Sequence, residues 1–129
     1  MHKLLAPDIH PLGKIIMPPP AVSISNGIKT YGYNGGQKEI IKVTIVFDAG
    51  RWTEPAPLIA DSVARLIKSG TKQWDAASLS GKIDQYGASI KAAAGYNTFT
   101  VSLSCLSRFL EPSLELMNSC IAEIGNCIS

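Results

Sequence analysis

Residues 88–105 read ASIKAAAGYNTFTVSLSC, and this stretch decides the fold. Phe99, Val101, Leu103 and Cys105 alternate with Thr98, Thr100, Ser102 and Ser104. Successive strand side chains point to opposite faces, so this run has one apolar face and one wet face. Gly95-Tyr96-Asn97 is a hairpin loop, and Ala88 to Ala94 is the partner strand. Apart from Ile90 and Lys91, that partner carries almost only methyl-sized or hydroxyl side chains.

Helical patterns flank the hairpin. Downstream, Leu110, Leu114, Met117, Ile121, Ile124 and Ile128 recur at spacings of four and three, a helical seam from about Glu111-Pro112 that is still running at Ser129. Packing onto the sheet explains that seam, because a coiled coil needs more sustained heptads. Upstream, Asp75 caps a short helix with Leu79, Ile83 and Tyr86 on its buried side and Gly87 at its end. Before it, Thr53-Glu54-Pro55 opens a helix near 56–69. Ile59, Val63, Leu66 and Ile67 form its apolar stripe, and Gly70 ends it.

Two more strands precede the helices. Glu39 to Asp48 alternates with a period of two, Ile40 and Val46 implying that its second face is partly covered. Ile28 to Tyr33 follows the tight-turn signal Ser25-Asn26-Gly27. Residues 1–21 hold five of the eight prolines, including Pro18-Pro19-Pro20, and read as an extended arm. The expected architecture is α+β: a mostly antiparallel sheet with helices packed on one face, in the order β-β-α-α-β-β-α over residues 22–129.

Composition bounds the function. The 129 residues are 46% hydrophobic and 17% charged, which suits one folded domain and excludes an intrinsically disordered chain. A net charge of +2 with dispersed basic residues does not suit nucleic-acid binding, and no apolar run is long enough for a membrane span. Pro7-Asp8 cuts the early apolar run too soon for a secretory leader. The compartment stays open between a bacterial cell envelope and the cytoplasm. Cys105, Cys120 and Cys127 are too few for a disulfide framework or a four-ligand zinc site, and read as small apolar side chains.

Catalytic constellations are scarce. The chain lacks a G-x-S-x-G elbow, a phosphate-binding glycine loop and a C-x-x-C pair. Its two histidines, His2 and His10, lie in the arm with Asp8, short of a metal-ligand set. Glu54, Asp61, Asp75 and Asp84 sit where caps or solvated faces account for them.

The run Val46-Phe47-Asp48-Ala49-Gly50-Arg51, a helix, Lys68-Ser69-Gly70-Thr71, then Tyr86-Gly87-Ala88-Ser89 and Phe99 to Ser104, resembles the N-terminal part of a pitrilysin/insulinase-family zinc metallopeptidase domain. The family includes the mitochondrial processing peptidases. The likeness covers about residues 22–129, and the family domain continues further, which implies a truncated domain here. In active members the helix before Gly-Thr carries H-x-x-E-H, two zinc ligands and the base that takes a proton from metal-bound water. Asp61 and Arg65 occupy the histidine positions and Ala64 the glutamate position. Arginine has no lone pair to donate, so the resemblance implies no catalytic residue and no metal or other cofactor in this chain, although active relatives hold zinc.

A family asparagine that helps hold the substrate backbone is replaced by Lys91. In the family that strand lies at a sheet edge, where Lys91, Ala92, Ala93 and Ala94 would leave room for a peptide to add as a further strand. Close packing against a helix would equally explain the alanines. The resemblance therefore implies a non-catalytic partner or structural half of an active peptidase subunit or domain. The alternatives are a fragment of an active zinc-dependent peptidase whose motif lies elsewhere, or a scaffold or binding module. Surface left bare by a truncated domain predicts self-association, by exchange of the arm or the last helix.

Overall fold

The computed structural model describes residues 19–36 and 39–127, with side chains through Glu123. The chain divides into two compact units at Lys38 and Glu39.

In the first unit, β1 (Ala21–Ser25) pairs antiparallel with β2 (Ile28–Gly32). The turn is Asn26-Gly27, with φ of 50° and 79°, the left-handed pair that a two-residue hairpin requires. The expected order lacked β1. Its residues follow Pro18-Pro19-Pro20, and those prolines, which cannot donate to a sheet, extend the expected arm through Ala21. Residues 1–18 of the proposed arm, with His2, Asp8 and His10, lie outside the described residues.

The second unit begins with β3 (Ile40–Phe47), followed by α1 (Ile59–Leu66), α2 (Ala76–Gln85), β4 (Ser89–Ala94) and β5 (Phe99–Leu106). One turn of 3-10 helix at Ser107–Phe109 leads into α3 (Leu110–Cys127). The chain order is thus β-β-β-α-α-β-β-α, in an α+β fold with antiparallel sheets. The three-stranded sheet runs β3-β5-β4, so β4 is an edge strand. Register pairs Phe47 with Phe99 at one end and Ile41 with Cys105 near the other. On the β4 side it pairs Lys91 with Ser102 and Ala92 with Val101.

Phe99, Val101, Leu103 and Cys105 are buried, and the helices pack on that face. Leu79, Ile90, Val101, Leu103 and Cys120 are almost wholly removed from water, joined by Ile67, Ile83, Leu116 and Met117. The buried side of α3 is wider than the predicted seam, because Ser113, Leu116 and Cys120 turn inward beside Met117. The side chain of Ile124 and all of Ile128 lie outside the described residues. Asp75 caps α2 as expected, its carboxylate accepting from the Ser78 N–H at 3.2 Å. Gly87 ends the helix with a φ of 58°.

Three expectations are corrected. The face of β3 bearing Ile40 and Val46 is open, those side chains being 60% and 59% exposed. Leu66 projects outward from α1, while Ile67 is buried. The helix starts at Ile59, not near 56, because Leu58 adopts a left-handed φ of 73° and turns the chain into it.

Candidate functional site

The loop from β3 to α1 is built against the tip of the β4–β5 hairpin. The Arg51 and Trp52 N–H groups donate to the carbonyls of Gly95 and Tyr96, each at 3.0 Å. Gly50 is buried beneath that tip, where a Cβ would lie 2.3 Å from the Tyr96 carbonyl oxygen, so only glycine fits. The Thr53 hydroxyl closes the turn, donating to the Gly50 carbonyl and accepting from the Gly50 N–H. Glu54 then caps α1 from outside it, its carboxylate oxygens accepting from the N–H groups of Leu58 at 3.0 Å and Ala60 at 2.9 Å. A carboxylate there satisfies free amides and suits the positive end of the helix dipole.

This framework carries Arg51 to α1. Its Nη2 donates to Asp61 Oδ1 at 2.8 Å, and its guanidinium lies 5.8 Å from the Tyr96 ring centroid. The hydrogen bond to Asp61, and then the carboxylate's charge, raise the guanidinium further above its ordinary pKa. Trp52 meets Tyr96 edge-on with centroids 6.3 Å apart, and both rings are largely exposed.

Asp61, Ala64 and Arg65 fall at i, i+3 and i+4 of α1, so they share one helix face. Asp61 is half-buried and bonded to Arg51, Ala64 offers a methyl group, and Arg65 is exposed. A catalytic zinc takes three protein ligands and an open position. One carboxylate already receiving a guanidinium, a methyl group and a donor-only arginine do not fit that demand. Among the described residues, no three His, Cys, Asp or Glu side chains converge.

Helix α1 contacts β4, so these positions and the proposed peptide strand are neighbours. Lys91 and Ala93 are exposed on the wet face of the sheet, whereas Ala92 and Ala94 are half-buried against the core. Two apolar hollows flank α1. One of about 310 Å³ is lined by Phe47, Pro55, Ile59, Val63 and Phe99. The other, about 420 Å³, lies against Leu58, Leu66, Ile67 and Cys120. Cys120 packs in the core, and burial pushes its thiol up despite the nearby charge of Lys68. Sequence reasoning missed both hollows and the Arg51–Asp61 bond, since each depends on where the loop is held.

Comparison with solved structures shows that this α+β fold recurs as part of two larger chains. A crystal structure of a "peptidase M16 inactive domain" from Pseudomonas fluorescens matches at a TM-score of 0.73 and 20% identity, over 79% of this chain and 26% of that one. A crystal structure of "a protease" from Helicobacter pylori matches at 0.68 and 19% identity, over 81% of this chain and 26% of that one. The chain thus spans about a quarter of the length of these structures. No protein-family model and no curated protein matches it.

Proposed function

We propose that this chain is a non-catalytic, zinc-free member of the metallopeptidase-like fold, serving as partner or structural half of an active peptidase. The observation that carries the reading is the Arg51–Asp61 bond of 2.8 Å on the helix where active relatives would place ligands. It commits the one available carboxylate, while Ala64 has no proton acceptor and Arg65 would repel a cation. The fold shared with a structure described as an inactive peptidase domain supports this reading.

A retained role is to hold peptide in extended form. As the last strand of its sheet, β4 offers backbone groups to an added strand, and Ala92 to Ala94 present little bulk. Self-association belongs to the same reading. The hairpin carries Val22, Ile24 and Tyr31 on one face, each more than half exposed, and a two-stranded hairpin is marginal by itself. Because the solved relatives are longer, the competing reading is an active peptidase whose H-x-x-E-H lies elsewhere in the same polypeptide.

The test is zinc content after dialysis against the metal, with peptide hydrolysis and sedimentation velocity on the same preparation. The proposal expects substoichiometric zinc, no cleavage and a mass above the 13.8 kDa monomer. One zinc per chain with chelator-sensitive cleavage would overturn the non-catalytic role. A monomer at all concentrations would remove the self-association alone.

A further inference from the structure

Strands β3, β4 and β5 contain two lysines, Lys42 and Lys91, and no carboxylate. Lys91 lies on the edge strand, exposed, directly across from Ser102, whose hydroxyl is 3.2 Å from that of Thr44. The carboxylates nearest in sequence to the sheet, Glu39 and Asp48, flank the opposite edge strand, β3. Of the two helices that contact β4, α1 has Asp61 bonded to Arg51 and an exposed Arg65 with no ion-pair partner among the described residues, and α2 carries the exposed Asp84. The exposed charge on β4 itself is therefore Lys91, which has no ion-pair partner among the described residues and no carboxylate on its own sheet.

We infer that the segment added to β4 is acidic, with an aspartate or glutamate facing Lys91. The inference rests on the strand-addition reading and names the class of peptide that edge selects. A residue paired across from Lys91 emerges on the same face of the sheet, within reach of the ammonium group. Its neighbours two positions away on that face meet Ser89 and Ala93, which are small and uncharged and leave Lys91 as the discriminating group. An edge lysine also guards a sheet against unwanted pairing, and the experiment separates that role from recognition.

The experiment is fluorescence anisotropy of labelled, alternating Thr/Val octapeptides with a central glutamate, glutamine or lysine, titrated with the full chain at low ionic strength. Opposite charges across strands attract and like charges repel by comparable amounts, so the glutamate peptide is expected to bind about fivefold tighter than the lysine peptide. The gap should narrow with added salt. Lys91→Glu should reverse the order and Lys91→Gln should level it, with unchanged circular dichroism because the side chain is exposed. Equal affinities in the wild type, or an order unmoved by Lys91→Glu, overturn the acidic preference and leave strand addition standing. Failure of all three peptides to bind removes strand addition, and this inference with it.

Discussion

Replacing Gly50 by alanine tests the framework that presents Arg51 to the first helix. The added Cβ would sit 2.3 Å from the Tyr96 oxygen, 2.6 Å from its carbonyl carbon and 2.7 Å from the Asn97 carbonyl carbon. All three are backbone atoms, so no side chain can swing aside. Reaching 3.4 Å, where ordinary contact begins, demands a retreat of about 1 Å by the loop or the hairpin tip. The two 3.0 Å bonds from Arg51 and Trp52 to that tip would then pass the limit of useful hydrogen bonding. Each contributes about 1 kcal/mol, and shifting packed backbone costs about 1 kcal/mol more, for a loss of about 3 kcal/mol. For a chain of this size that lowers the melting midpoint by about 10 °C, measured by circular dichroism. Gly81→Ala is the control, since Gly81 lies within α2 with no atom near its Cβ position. It should gain about 1 kcal/mol from helix propensity. A Gly50→Ala protein melting with the wild type would refute the reasoning.

Two further predictions concern α3 and α2. The Ser113 hydroxyl is buried with no hydrogen-bond partner, so Ser113→Ala should be neutral or stabilising by up to about 1 kcal/mol in urea unfolding. A clear destabilisation would mean that the hydroxyl does have a partner. Hydrogen bonds from Ser78 hold the Asp75 carboxyl below its ordinary pKa. Its stabilisation of the fold is therefore complete above the usual aspartate value near pH 4, and is lost as pH falls through the lower folded value. Asp75→Asn keeps a capping oxygen but removes the titration, so its melting midpoint should fall less steeply on acidification. An identical acid limb in both proteins would contradict this account.

The hairpin at 88–105 was legible because its period of two, its glycine loop and its neighbouring helices agree. Turn chemistry also located Asn26-Gly27, yet the strand entering that turn was lost to the prolines just before it. Local rules place a helix start at Thr53-Glu54-Pro55. The chain instead uses Glu54 as a cap reaching four and six residues ahead, past Pro57 and a left-handed Leu58. No short-range cap pattern encodes such a reach. Asp61, Ala64 and Arg65 could be placed on α1 from sequence because the count back from Gly70-Thr71 is rigid. The partner of Asp61 could not, since Arg51 is ten residues away and its direction is set by a distant hairpin.

The bond between Arg51 and Asp61 also bears on any attempt to build a metal site on α1. Exchanging positions 61 and 65 for histidines and 64 for glutamate would strip Arg51 of its anion and leave a permanent positive charge beside the new imidazoles. That charge would oppose an incoming dication, so an engineered site requires a change at Arg51 as well. None of these exchanges would build the site without the others, since each leaves either a missing ligand or the guanidinium in place.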